Sequence, residues 1–271
     1  MPLAVCATPI GNLEDVTLRV LAALREADLV LCEDTRRTRI LLDRHGIAAR
    51  TASFHAHNEA SRMPEVLERL RRGEAIALVS DAGLPGVNDP GAGLLRAAAS
   101  EGLPVTVLPG PSAVETALVA SGLGGSRYQF VGYLPRREGE LRTLAAELRR
   151  WPGAVVAFES PRRLPRSLGA LADELGERDA AVCRELTKRF EEVVRGTLAE
   201  LAERFAEAPR GEITLVVGAG TEGRGVRAEP GEEELSAVAE LVAAGASRRA
   251  AADVVSRLTG AARNALYRGS L

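Results

Sequence analysis

Short apolar runs alternate with stretches of helical periodicity for more than two hundred residues, and no other feature of the chain narrows its fold as far. Strand-like runs occupy 3–7 (LAVCA), 28–32 (DLVLC), 51–54, 75–80 (AIALVS) and 104–108 (PVTVL). Helical spacing predicts segments near 17–26, 35–44, 60–72, 90–101 and 112–121. Parallel strands need helical crossovers and are buried on both faces, so this alternation argues for a mostly parallel, two-sided sheet. A second set follows, with strands at 127–133 (RYQFVGY), 154–158 (AVVAF), 179–184 (DAAVCR), 191–195 and 212–217 (EITLVV), and helices near 137–150, 161–175 and 197–206. The segment 122–126 (GLGGS) is the most linker-like point between the sets. The expectation is two α/β domains, 1–121 and 122–220.

From 219 to 234 the chain turns to Gly, Pro and charge, which reads as a linker. Three helical segments near 232–244, 247–258 and 260–268 then form a C-terminal region, 231–271. Its last 25 residues carry five Arg against one Asp, a local net charge of +4 within a chain whose overall charge is −2. Any nucleic-acid surface must therefore be local, and Arg248, Arg249 and Arg263 are the candidates for phosphate contacts. A solvated helical hairpin used for dimer packing explains the same residues and stays open. Cys6, Cys32 and Cys183 lie in strand-like runs without CxxC spacing, as reduced core thiols of a cytosolic protein would. The opening residues do not read as a basic-then-apolar leader and no apolar run approaches membrane-spanning length, so a cytoplasmic protein is expected.

Ligands of open parallel sheets bind beyond the carboxyl ends of the strands. Four turns at those ends are unusual: ATPIGN (7–12), EDTRRT (33–38), SDAGLPGVNDPG (80–91) and PGPSA (109–113). The Gly and Pro of the first, third and fourth let main chain approach a ligand closely. None is a GxGxxG or P-loop fingerprint, and GxSxG, HExxH and Cys/His clusters are missing, so nucleotide-phosphate cradling, acyl hydrolysis and metal catalysis lose support. Asp81 reads either as a helix cap or as a carboxylate facing an ammonium, a sulfonium or ribose hydroxyls. Asp89 as N-cap and Pro90 at the first helical position would open the helix that follows.

ATPIGNLEDVTLR, EDTRRT, SFHAHNE, SDAGLPGVNDPG, PGPSA, FESPRR and RELTKRFEE, in this order, resemble the tetrapyrrole methylase superfamily and, within it, the small-subunit ribosomal RNA cytidine-2′-O-methyltransferases. The resemblance covers essentially the whole chain. Departures are small: the family usually has Gly at Ala7, Thr at Leu84, Ser at Asn88, and an extra aromatic residue beside Phe158.

The resemblance implies two α/β domains with S-adenosyl-L-methionine, and no metal, in the cleft between them. Pro9, Ile10 and Gly11 would flank this cofactor. Asp81, Ala82, Gly83 and Leu84 would line its methionine and ribose side, with Ser112, Ala113 and Phe158 completing the site. The substrate would be ribosomal RNA, naked or within the 30S particle, the acceptor a ribose 2′-hydroxyl, and the enzyme a homodimer. Arg36 and Arg37 would meet target phosphates. Glu33, His57 (with His55 nearby) and Lys188 are the candidates for handling the hydroxyl proton. Lys188 is the single lysine among 35 basic residues; it would hold that proton or accept it. Two alternatives stand beside this: the same fold methylating a tetrapyrrole or a protein residue, and a non-catalytic RNA-binding protein of ribosome assembly.

Overall fold

The computed structural model describes residues 2–86, 91–220, 230–259 and 261–270. The chain forms two compact units. One comprises Met1–Ala120 with Val182–Val193 and Arg210–Thr214; the other comprises Ser121–Ala181, Val194–Pro209 and Leu215–Leu271.

In the first unit, β1 (Leu3–Cys6), β2 (Leu29–Cys32), β3 (Thr51–Ser53), β4 (Ile76–Val79) and β5 (Val105–Leu108) form a sheet of order β3-β2-β4-β1-β5. Every neighbouring pair is parallel. Side chains alternate between two cores. Ala4, Cys6, Val30, Cys32, Ala77 and Val79 pack under α1 (Leu18–Glu26) and α2 (Thr35–Arg44). Leu3, Leu29, Leu31, Ile76 and Leu78 pack under α3 (Glu59–Arg71) and α4 (Ala92–Ser100). Both faces are covered, which is why these strands read as unbroken apolar runs rather than alternating ones. Each fully buried Leu or Ile contributes about 1.5–3 kcal/mol. The three cysteines are free and buried, as the sequence indicates. Burial pushes the Cys6 thiol up to about 12, so it packs as a small hydrophobe rather than a nucleophile.

The helices begin on local signals. Thr17 caps α1 by accepting from the Val20 N–H at 3.2 Å, and Asp34 caps α2 by accepting from the Arg36 N–H at 2.8 Å. Helix α4 starts at Ala92 with Gly91 at its N-cap, φ +112°. A Cβ on Gly91 would fall 2.7 Å from Leu78 Cδ2, so that position suits glycine on two counts. Asp89 and Pro90, expected to open this helix, lie outside the described residues. Helix α5 (Ala113–Ser121) follows β5.

A second five-stranded sheet has the order β6-β7-β10-β8-β9, from β6 (Tyr128–Tyr133), β7 (Ala154–Glu159), β8 (Asp179–Arg184), β9 (Glu192–Thr197) and β10 (Ile213–Val217). Strands β6 and β7 run parallel with a register shift between Phe130 and Tyr133, where Gly132 takes φ +70° in the manner of a bulge. Helices α6 (Glu138–Arg149), α7 (Leu164–Leu175) and α8 (Leu198–Arg204) belong to this half. Helix α7 begins at Leu164, later than periodicity indicates, because residues 161–163 form a turn first.

The expected C-terminal helices are α9 (Glu232–Ala243), α10 (Arg248–Thr259) and α11 (Arg263–Gly269). They share a small core of Val238, Ala251, Ala252, Val255, Ala261 and Leu266. Residues 221–229 of the anticipated linker lie outside the described residues. No helix of the described residues is long and apolar enough to cross a membrane.

Candidate functional site

The register of the first sheet decides where its loops can meet. Cys6 pairs with Val79 and Leu108, and Cys32 with Val79 and Ser53, so all five strands end at one level. The crossovers from β1 and β2 use helices on one face, and those from β3 and β4 use helices on the other. The loops after the adjacent strands β1 and β4 therefore diverge, which makes their junction the topological switch point where such sheets bind ligands. A two-residue bridge closes that junction: Thr8 N–H donates to Gly83 O at 2.8 Å, and Gly83 N–H donates to Thr8 O at 3.0 Å. The buried Thr8 hydroxyl also donates to Ser80 O at 3.0 Å.

Beside this bridge lies a shallow cleft of about 410 Å³, lined by Ile10, Asp15, Thr17, Gly110, Pro111, Thr116 and Thr187. Gly83, at φ +80°, would place a Cβ 3.8 Å from Pro111 O and 3.9 Å from Ile10 Cγ2. Its missing side chain leaves free a space that three loops border, as a ligand approached by main chain requires. Ala7 is fully buried, and a Cβ on Gly110 would fall 2.9 Å from the Ala7 methyl. Gly110 thus leaves room for the Ala7 methyl.

Asp81 is neither a helix cap nor an unpaired carboxylate. Its Oδ1 accepts from the Asp34 N–H at 3.0 Å, and its Oδ2 lies 3.6 Å from Arg37 Nε. The carboxylate ties the loop after β4 to the start of α2. Arg36 is occupied locally: its guanidinium reaches Asp34 at 2.7 Å and holds that carboxyl down at about 2. Glu33 is half-buried, and burial, then the Asp81 charge, raises its pKa against the pull of Arg37 and His55. The Ser112 hydroxyl is given to the Glu115 carboxylate, and Ala113 opens α5.

Strand β3 stops at Ser53, and His55 and His57 follow it in the turn that leads into α3. Their rings meet edge to face, 6.0 Å apart. His55 Nδ1 is buried and is the one such side-chain atom without a hydrogen-bond partner among the described residues; His57 is exposed.

Lys188 and its neighbours 182–193 belong to the same unit as these loops. The ammonium is 2.9 Å from Glu185 and 2.8 Å from Glu212. Partial burial works to lower its pKa, but the hydrogen bonds and charges of Glu212 and Glu185 outweigh that and the net shift is upward. The lysine stands among carboxylates rather than cations and stays protonated, so of its two expected roles, accepting a proton is disfavoured. Gly11 passes directly against it. A Cβ there would fall 2.6 Å from Lys188 Cγ, 2.7 Å from Thr187 Oγ1 and 2.8 Å from Leu186 O.

Phe158, in the second unit, packs edge to face against Phe130 at 4.9 Å and Tyr133 at 5.5 Å. In the C-terminal helices Arg249 and Arg263 are exposed and Arg248 is half-buried; Arg263 lies 3.7 Å from Asp253. Reading the sequence did not single out Asp15, Thr17, Thr116 or Thr187. The first two lie within the motif ATPIGNLEDVTLR, where the turn before α1 was the available signal.

Residues 2–202 match the family of Tetrapyrrole (Corrin/Porphyrin) Methylases. A protein of Mesorhizobium japonicum called ribosomal RNA small subunit methyltransferase I is 46% identical over 265 residues, covering 97% of this chain and 88% of its own length. A Thermotoga maritima protein of the same name is 43% identical over 216 residues, covering 79% of this chain and 97% of its own. Among solved structures, diphthine synthase aligns with TM-score 0.62 at 18% identity, over 80% of this chain and 89% of that one. Uroporphyrin-III C-methyl transferase from Thermus thermophilus, complexed with S-adenyl homocysteine, aligns with TM-score 0.56 at 21% identity, over 80% and 96% of the two chains.

Proposed function

The chain belongs to the tetrapyrrole methylase family, and from that premise we propose that it methylates the ribose 2′-hydroxyl of a cytidine in small-subunit ribosomal RNA, using S-adenosylmethionine. The relatives that share more than two fifths of its residues over most of its length are named for small-subunit ribosomal RNA methylation, which favours RNA over a tetrapyrrole or protein acceptor. The observation that carries the reading is the bridged switch point of the first sheet, with Gly83 opening a space among three loops beside the 410 Å³ cleft.

When bound, the donor supplies a methyl group already activated on a sulfonium. The protein's own tasks are to hold it, align the acceptor oxygen, exclude water and take up one proton. Main chain at Pro9, Ile10 and Gly11 and at Ala82, Gly83 and Leu84 is assigned to holding, with Ser112 and Ala113 at the start of α5. Asp81 fixes the loop rather than standing alone, and the second unit's Phe158 enters on the family resemblance alone. Alignment of this kind supplies up to about 7–11 kcal/mol of barrier lowering.

Proton uptake is assigned to Glu33. Its raised pKa brings the carboxylate closer to neutrality, where a general base works best and adds roughly 10²–10⁴-fold. His57, exposed on the neighbouring turn, is the second candidate. Lys188 serves as a fixed positive charge. Arg37, Arg248, Arg249 and Arg263 are assigned to phosphates, with Arg36 sharing its charge with Asp34. Self-association as a homodimer belongs to the proposal and is checked by sedimentation.

The test is ribonucleotide mass spectrometry of ribosomal RNA from cells lacking the protein. One 2′-O-methylcytidine of the small subunit should disappear, and the wild-type gene should restore it. An unchanged modification profile overturns the assignment.

A further inference from the structure

Among the described residues only two non-glycines hold left-handed backbone, Glu185 at φ +52° and Thr187 at φ +65°. For a β-branched residue such as threonine this conformation is a steric outlier that persists only where its surroundings over-determine it. Here they do. Glu185 N–H donates to Glu212 O at 3.0 Å, while the Glu185 carboxylate accepts from Glu212 N–H at 2.8 Å and from Lys188 Nζ at 2.9 Å. Lys188 N–H donates back to Glu185 O at 3.0 Å, and Thr187 N–H donates to the Glu191 carboxylate. Even Gly211 is committed to this turn, since a Cβ there would fall 2.5 Å from Glu185 Cγ.

The strained turn delivers one thing to the first sheet. The Thr187 hydroxyl oxygen accepts the backbone N–H of Asn12 at 3.0 Å, across 175 residues of sequence. Asn12 directly follows Gly11, whose bare Cα lets the two segments touch, and Thr187 and Ile10 both line the cleft. We infer that Thr187 is a positioning residue: its strained turn latches the 9–12 loop in the form that receives the methyl donor. The inference rests on the proposed reaction and adds a residue to it. It acts through Asn12 and Ile10, so it controls affinity rather than proton transfer.

Strain held for function has a signature that a structural role lacks. Thr187→Gly takes up the left-handed backbone freely but removes the acceptor, so the variant should melt no lower than wild type. It should nevertheless bind S-adenosylhomocysteine, the calorimetric probe, about tenfold more weakly, equivalent to ~1.4 kcal/mol. Thr187→Ser keeps the acceptor and should bind nearly as wild type does. Hydrogen exchange gives a readout independent of any ligand: the Asn12 amide should be protected in wild type and Thr187→Ser, and should exchange faster in Thr187→Gly. Unchanged affinity in Thr187→Gly overturns the latch, as does a loss accompanied by an equivalent fall in Tm, or a Thr187→Ser protein as weak as Thr187→Gly. Wild-type protein that does not bind the probe overturns the methyl-transfer reading and the purpose of the latch together, whereas normal wild-type binding untouched by these changes overturns the latch alone.

Discussion

Gly11→Ala isolates the close approach between the 9–12 loop and the turn at Leu186–Lys188. The added methyl carbon would meet Lys188 Cγ at 2.6 Å, Thr187 Oγ1 at 2.7 Å and Leu186 O at 2.8 Å. Gly11 is not among the left-handed glycines, so alanine meets no backbone penalty there and the effect is steric. The three neighbours cannot easily give way, because ion pairs fix Lys188 and the turn around Thr187 is locked from both ends. Overpacking costs about 1–3 kcal/mol, and a backbone carbonyl among the clashing atoms puts this case in the upper half of that range. For a protein of this size the loss lowers Tm by roughly 4–12 °C. Separating the loops also breaks the Asn12–Thr187 hydrogen bond, so S-adenosylhomocysteine affinity should fall along with stability. The assay pairs scanning calorimetry with titration calorimetry, and Gly169→Ala serves as the control. Gly169 lies inside α7, and a Cβ there would meet nothing within 4 Å, so alanine should stabilise by about 0.5–1 kcal/mol. If Gly11→Ala melts and binds as wild type does, the packing argument for this loop is wrong.

The remaining expectations concern charge. Because the folded protein raises the Glu33 pKa, it binds the proton more tightly than the unfolded chain does, and stability falls as pH rises from the ordinary carboxylate range through the raised value; Glu33→Gln should remove that fall, measured by melting across pH, while abolishing most turnover. In the same enzyme, activity should rise with pH along an acid limb set by the raised Glu33 value, and a limb unchanged in Glu33→Gln would exclude Glu33 as the base. Asp81→Ala removes the acceptor of the Asp34 N–H and the Arg37 partner; it should cost about 0.5–1.5 kcal/mol and weaken cofactor binding, and intact binding would leave Asp81 a purely structural tie. Lys188→Arg keeps the charge and should retain most turnover, whereas loss of kcat with normal cofactor affinity would restore the amine as proton acceptor. Replacing Arg248, Arg249 and Arg263 with Glu should weaken ribosomal RNA binding and flatten its salt dependence by about one unit of slope per lost phosphate contact without altering cofactor affinity; an unchanged slope assigns these helices to packing.

Much of the architecture was legible because it is written in local patterns. Runs such as AIALVS and LAVCA are apolar since both faces of β4 and β1 are covered, whereas the caps Thr17 and Asp34 were found only in the structure. The pairings were not legible. Nothing in EDTRRT tells that Arg36 turns back to Asp34 while Glu33 is half-buried and feels the Asp81 charge, because neighbouring side chains compete for the same partners and tertiary placement decides. SFHAHNE alternates like a strand, yet Asn58 breaks it by accepting the His55 N–H at 2.8 Å, which closes the turn. Lys188 was conspicuous as the sole lysine, but its environment was not, since Glu212 arrives from 24 residues further on. Thr187 sits inside RELTKRFEE, but its role was hidden: a left-handed threonine is set by the ties around it, which exist only in the folded chain.

The Asn12–Thr187 hydrogen bond also bears on biosynthesis. The loop after β1 is completed by a segment made 175 residues later, and Glu212, which braces that segment, comes later still. At about 5–20 residues per second of translation, the emerging amino-terminal sheet waits on the order of ten seconds for its closing turn. During that interval the nascent polypeptide can build β1 to β5 but has no clasp on the loop after β1, so donor recognition is acquired late, only once the chain through Glu212 has left the ribosome.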